Sequence, residues 1–300
     1  MREIFCRTLV GAAGNPSFVF LTGDLGFKAL EPLQEALGDR FINAGVSEQN
    51  MVSMAAGLAK IGFRPWVYSI APFLYARPFE QIRNDVCLHK LPVVIVGNGG
   101  GYGYGVMGST HHALEDYGSL LTLPNLKAFV PAFDSDVAAI IPQLMVSRCP
   151  AYLRLGRSEE PSGTPLPAYS AWRRLVKGRG LTLVAAGPLV GGILEPLARL
   201  GESDRPDVWL VTELPLSELP DDFTESVRNS GHLFVVEEHT AHGGVGQMLV
   251  HRLACLGHMP PRFTHRYALG YVSGRYGSQN FHRRECGLDA ASILTAITTE

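Results

Sequence analysis

Along the first half of the chain, short unbroken apolar runs alternate with stretches whose apolar residues recur every three or four positions. Phe18 to Thr22, Pro65 to Ile70 and Pro92 to Val96 read as strands, the last continuously apolar as central parallel strands are. Lys127 to Val130 and Ala151 to Leu155 read as two more. Between them the helical period predicts one amphipathic helix from about Leu74 to His89, and another over Val137 to Val146 with Asp134 as its cap. This alternation is the signature of βαβ units on a largely parallel sheet. Residues 1–157 are expected to form that first domain. The following stretch is rich in Pro, Ser, Gly and charge, and is expected to be a linker over 158–179 with a few strand-like residues around Trp172. Residues 180–300 alternate again, with strands at Leu181 to Ala185, Asp207 to Val211 and His232 to Glu237 and a helix at Pro188 to Leu200. The predicted class is α/β, with two domains, each a mostly parallel sheet flanked by helices.

One stretch, Arg40 to Lys60, carries the first candidate chemistry. Asn43, Ala44 and Gly45 are small or turn-prone residues that let a strand hand over to a helix. Ser47 is then the expected N-cap, ahead of Met51, Met54, Ala55, Leu58 and Ala59 at helical spacing. Glu48 falls in the first turn, at the carboxyl edge of a strand, which is where open α/β sheets bind ligands. A first-turn acid also complements the helix dipole, a contribution of about 0.3–1 kcal/mol. The stretch itself leaves both roles open.

A second stretch follows the strand at Pro92 to Val96. From Gly97 to Ser109 there are seven glycines, which a compact fold keeps where φ must be positive or where backbone approaches a ligand closely. Tyr102 and Tyr104 are expected to stand out of it as walls or lids. Thr110, His111 and His112 come next, placing an imidazole at a strand's carboxyl edge, well suited to proton transfer near neutral pH. Adjacent histidines do not share one ion from a helix face, so a metal site built by this chain alone is not expected. Farther on, Gly243, Gly244 and Gly246 open a helix. They lack the spacing of a phosphate-binding loop and read as a tight turn with close strand–helix packing.

Composition narrows the class. With 46% hydrophobic and 18% charged residues in 300, the chain has enough material for full cores and is expected to be a soluble globular protein. Its 26 basic and 28 acidic residues give a net charge of −2, which argues against nucleic acid or an anionic membrane as partner. No apolar run is long enough to span a membrane, and the opening MREIFCRTLV lacks a signal peptide's h-region, so a cytoplasmic location is expected. Five scattered cysteines without a CxxC pair suggest neither a disulfide framework nor zinc.

The ordered set of GVSEQNMVSMAAGLAK, PFEQIRNDV, MGSTHHALEDYGSL, LPNLKAFVPAFDSD, AYLRLGR, LTLVAAGPLV and VVEEHTAHGGVG resembles the transketolase family over nearly the whole chain, as its pyrimidine-binding domain plus carboxyl-terminal domain. The resemblance implies thiamine diphosphate as cofactor, with Mg²⁺ on its diphosphate. It implies that Glu48 contacts N1′ of the aminopyrimidine, where a protonated ring nitrogen activates the 4′-amino group that removes the C2 proton. It implies that Phe73, with Tyr75 a weaker match, stacks on that ring, and that His111 meets ketose hydroxyls as proton donor or hydrogen-bond partner. Arg157 aligns with an arginine for a sugar phosphate and Arg2 with a second. Met107 stands where the family carries an aspartate that reads a substrate hydroxyl, which puts the choice of sugar in doubt.

The diphosphate-binding GDG signature of complete family members has no counterpart here. GDL at Gly23 and GDR at Gly38 are not it. The resemblance therefore implies the second subunit of a two-chain enzyme, inactive alone, pairing with a chain that holds the diphosphate and Mg²⁺, in an α2β2 heterotetramer. Two other readings remain: the β subunit of a 2-oxo acid dehydrogenase-like or acyl-forming thiamine enzyme, which does not usually carry the THHALEDYG segment, and a non-catalytic regulatory subunit.

Overall fold

The computed structural model describes residues 1–26, 28–161 and 165–299, so residues 162–164 of the expected linker lie outside the described residues. The strands are β1 (Phe18–Thr22), β2 (Phe41–Asn43), β3 (Arg64–Ile70), β4 (Val94–Asn98), β5 (Lys127–Phe129), β6 (Ala151–Leu155), β7 (Trp172–Val176), β8 (Thr182–Ala186), β9 (Asp207–Val211), β10 (Glu213–Leu214), β11 (His232–Glu237) and β12 (Arg262–Arg266). They form a seven-stranded sheet in the order β10-β5-β6-β4-β3-β1-β2 and a five-stranded sheet in the order β12-β11-β8-β9-β7. Pairing is parallel except at one edge of each, where β10 meets β5 and β7 meets β9 antiparallel. Both edges depart from the expected domain boundaries. β7 lies inside the stretch expected as linker yet closes the second sheet, and β10 leaves the second half to close the first.

The apolar runs are explained by burial on both faces. In β1, β3 and β4, Phe18, Phe20, Trp66, Tyr68, Val94 and Val96 enter one core, while Val19, Leu21, Val67 and Ile95 enter another. That second core continues into the second domain through Val184, Trp209, Leu233, Val235 and Leu249. The two sheets therefore share one apolar interior, and the domain seam is a packed core.

Two helix expectations are corrected. The single helix over Leu74–His89 is a short helix Ala71–Tyr75, a turn through 76–78, a turn of helix at Phe79–Gln81 and a widened turn at Ile82–Cys87. Pro78 accounts for the break: it has no N–H to give, and its ring crowds the carbonyl four residues back. The helix Asp134–Val146 is held at its start by Asp136, whose Oδ2 accepts from the N–H groups of Ala132 and Phe133, not by Asp134. Among the described residues no helix is long and apolar enough to cross a membrane.

Candidate active site

Three parallel strands deliver the site. β2, β3 and β4 each end at the same sheet edge, and the segments that leave them carry Glu48, Phe73 and His111. Ser47 occupies the N-cap of the helix Glu48–Lys60, as expected, but its hydroxyl donates back to the Ala44 carbonyl at 2.7 Å and does not cap the helix. Glu48 is therefore the first helical residue, and its carboxylate is only 5% exposed. Such a group needs a partner, because a buried lone charge is costly. Arg77 supplies it, with Nη1 donating to Glu48 Oε1 at 2.7 Å.

The Arg77 guanidinium also lies 3.9 Å from the centroid of the Phe73 ring. The Phe73 ring in turn meets the His111 imidazole edge-on, centroids 5.1 Å apart. Glu48, Arg77, Phe73 and His111 thus form one contiguous wall from three separate segments. Thr110 Oγ1 bonds His111 Nδ1 at 2.9 Å. The Tyr104 ring lies 5.8 Å from His111 and its hydroxyl accepts from Asn98 Nδ2 at 2.7 Å. Gly99, at φ +79°, makes room for it, since a Cβ there would sit 2.2 Å from the Tyr104 ring.

The other expected site residues lie outside this run of contacts. Tyr75 is buried, and its hydroxyl donates to Glu115 Oε2 at 3.0 Å, tying the Phe73 helix to the segment beyond His111. Burial, with the neighbouring charges of Glu115 and Asp116, pushes that phenol well above its ordinary range. Met107 is exposed on a tight turn of the glycine loop, Gly105–Met107. Arg157 is exposed beyond β6. Arg2, on the helix Arg2–Gly11, lines a cavity of about 670 Å³, and its charge partly offsets the burial that raises the Tyr68 and Tyr104 phenols.

The expectation for Tyr102 is corrected. It is fully buried and reaches into the second domain, where its hydroxyl donates to the Gly270 carbonyl at 2.7 Å and its ring stacks on His282. A lid would need a swinging side chain, and this one is locked on both sides. His112 is likewise structural, bonded by Nδ1 to the Tyr271 hydroxyl at 2.9 Å and by Nε2 to the Gly105 carbonyl at 2.8 Å. Burial lowers its pKa below the ordinary 6.5.

The glycine-opened helix Val245–Leu256 binds no phosphate at its start, because that place is filled. The Glu237 carboxylate accepts from Val245 N at 2.8 Å and Gly246 N at 2.9 Å, and it also takes the Tyr117 hydroxyl and His265 Nε2. Burial pushes the Glu237 pKa up, but the hydrogen bond from His265, the charges of His239 and His265, and the Gly246 N–H together bring it below 4.5. Beside it, two buried ion pairs, Arg154 Nε on Asp116 Oδ2 at 2.8 Å and Arg283 Nε on Glu238 Oε2 at 2.5 Å, are joined into a chain across the seam by Arg154 Nη2 donating to the Glu238 backbone carbonyl at 3.0 Å. The chain fixes the second domain against the segment that carries His111.

Sequence reasoning missed Arg77, which falls in the first turn of the helix expected over Leu74 to His89; its position just before Pro78 was the available signal, since a residue before proline is driven out of helical backbone. It also missed the Asn98–Tyr104 pair. Among the described residues, no group of three or more His, Cys, Asp or Glu side chains is arranged to hold a metal ion.

Comparison with known proteins gives this arrangement a lineage. Residues 11–162 match the transketolase pyrimidine-binding domain. The B-type chain of the apulose-4-phosphate transketolase of Actinobacillus succinogenes is 31% identical over 277 residues, covering 88% of this chain and 86% of that one. A 1-deoxy-D-xylulose-5-phosphate synthase of Myxococcus xanthus is 32% identical over 310 residues, and the chain spans half of that longer protein. A solved structure described as a split-gene transketolase in an inactive beta4 tetramer superposes with a TM-score of 0.82 at 28% identity, covering 99% of this chain and 96% of that one. With a pyrimidine-domain match over half of its length and a relative of this similarity along most of the rest, the chain belongs to the transketolase family.

Proposed function

We propose that this chain is the β-type subunit of a thiamine-diphosphate-dependent transketolase, which moves a two-carbon ketol unit from a ketose to an aldose once it is paired with a partner that carries the diphosphate-binding domain. The convergence of Glu48, Phe73 and His111 on one wall carries the reading. A planar heterocycle fits there: the planar Arg77 guanidinium already rests on Phe73 and bonds Glu48. The cofactor, when bound, would supply an electron sink for cleaving and forming the carbon–carbon bond. Glu48 would hold a proton against the pyrimidine N1′, its burial keeping water from competing for it. Phe73 would stack on the ring. His111, with Thr110 on Nδ1, keeps Nε2 for a sugar hydroxyl and would hold or move a proton there.

Substrate phosphate would be met by Arg157, with Arg2 as a second contact. Met107 offers only a weak thioether acceptor where the family has a carboxylate, which favours a sugar that presents no hydroxyl there. Mg²⁺ and the diphosphate would be held by the partner, since the described residues supply no cluster of hard oxygen ligands of the kind that ion needs. The assembly proposed is an α2β2 heterotetramer in the cytoplasm.

The relative described as an inactive beta4 tetramer supports the dependence on a partner. A second reading is the acyl-forming thiamine reaction that the sequence leaves open beside ketol transfer. Assaying the purified chain, and then the chain with its partner subunit, against ketose and 2-oxo acid donors tests all of this. Ketol transfer is expected from the pair alone, whereas robust transfer by the single chain overturns the proposal and turnover of the 2-oxo acid only moves it to the second reading.

A further inference from the structure

Arg77 makes both contacts that the wall has to offer. Its Nη1 takes Glu48 Oε1 at 2.7 Å, and its guanidinium carbon stands 3.9 Å above the Phe73 centroid. A flat, nitrogen-bearing ring bound there would need the same oxygen and the same aromatic face. Both cannot be present together: one Oε1 position and one ring face at van der Waals distance admit a single planar group. Arg77 is nevertheless built to leave. Its side chain is 46% exposed, and it precedes Pro78 in the turn that interrupts the helical run.

We propose that Arg77 is an intramolecular occupant of the aminopyrimidine subsite, a latch that keeps the buried Glu48 carboxylate paired and dry until the heterocycle displaces it. The inference rests on the proposed function, since it takes Glu48 and Phe73 as the pyrimidine-binding pair, and it adds a positioning residue that competes with the cofactor. Removing a charge-assisted hydrogen bond and a cation–π contact of this partly exposed kind raises the fraction of open sites, and apparent affinity rises by the same factor. The gain expected is about tenfold.

The test is calorimetric titration of thiamine diphosphate with Mg²⁺ into the chain assembled with its partner subunit, comparing wild type with Arg77→Met, Arg77→Lys, Glu48→Gln and Phe73→Leu. Arg77→Met keeps the side-chain length and loses the planar cation, so it should bind about tenfold more tightly. Arg77→Lys keeps the charge without the flat stacking surface and should fall between Met and wild type. Glu48→Gln and Phe73→Leu should weaken binding. Unchanged or weaker binding by Arg77→Met overturns the latch while leaving the site reading intact, provided Glu48→Gln weakens binding. If Glu48→Gln and Phe73→Leu also bind as wild type does, the site reading falls, and the latch with it.

Discussion

Replacing Arg154 by methionine tests whether the ion chain at the domain seam holds the molecule together. Arg154 is 5% exposed and Asp116 is fully buried. Arg154 Nε lies 2.8 Å from Asp116 Oδ2, and Nη2 donates to the carbonyls of Ala113 at 2.8 Å and Glu238 at 3.0 Å. Burial disfavours the guanidinium charge, but Asp116 and its neighbours outweigh that and hold Arg154 firmly charged. With methionine in place, the Asp116 carboxylate keeps the Tyr152 hydroxyl at 2.7 Å and loses its counter-charge. Breaking a buried pair in this one-sided way costs about 3–5 kcal/mol. The Ala113 carbonyl is partly compensated, since the Gly101 N–H reaches it too, which places the expected loss near the lower end, about 3 kcal/mol. Adding Asp116→Asn removes the stranded charge, so the double variant should recover about 1–2 kcal/mol of that loss. Urea unfolding followed by far-ultraviolet circular dichroism reads both values. A loss under about 1 kcal/mol for the single variant, or a double variant no more stable than the single, would refute the reasoning.

Stability should be fullest above pH 6.5 and decline below it, because burial holds the folded-state pKa of His112, His239 and His282 under their ordinary 6.5. Each binds a proton more readily in the unfolded chain, so stability is lost as pH falls below 6.5 and levels off below the folded values. Thermal melts from pH 8 down to pH 5 check this, and a flat melting temperature across that range would contradict it. Gly246→Ala should destabilise by about 1–3 kcal/mol through overpacking, because the new Cβ would lie 2.5 Å from the His265 ring that bonds Glu237; a wild-type urea midpoint would show that the ring moves aside freely.

Much of the fold was legible because β1, β3, β4, β8 and β11 are buried on both faces and so are written as unbroken apolar runs. β10 was not legible. Two residues, Glu213 and Leu214, cannot show a period, and their place depends on a distant edge, β5. The break at Pro78 lies in plain view, but the helical spacing on either side of it masks it. Glu48 could be placed in a first turn from its neighbours alone; that Arg77 is its partner could not, since that contact joins residues 29 positions apart. Tyr102 shows the same limit from the other side. A tyrosine in a glycine loop looks mobile until a second domain is packed over it, with the Gly270 carbonyl and the His282 ring on its far side.

The central claim is that one buried carboxylate serves a ring nitrogen whose diphosphate another chain holds. Glu48→Gln, assembled with the partner subunit and assayed for ketol transfer, tests it most directly. The account predicts an intact assembly by size-exclusion chromatography with turnover reduced by at least about 10²-fold, the scale of a lost general acid; an intact assembly that turns over within a few-fold of wild type would contradict it.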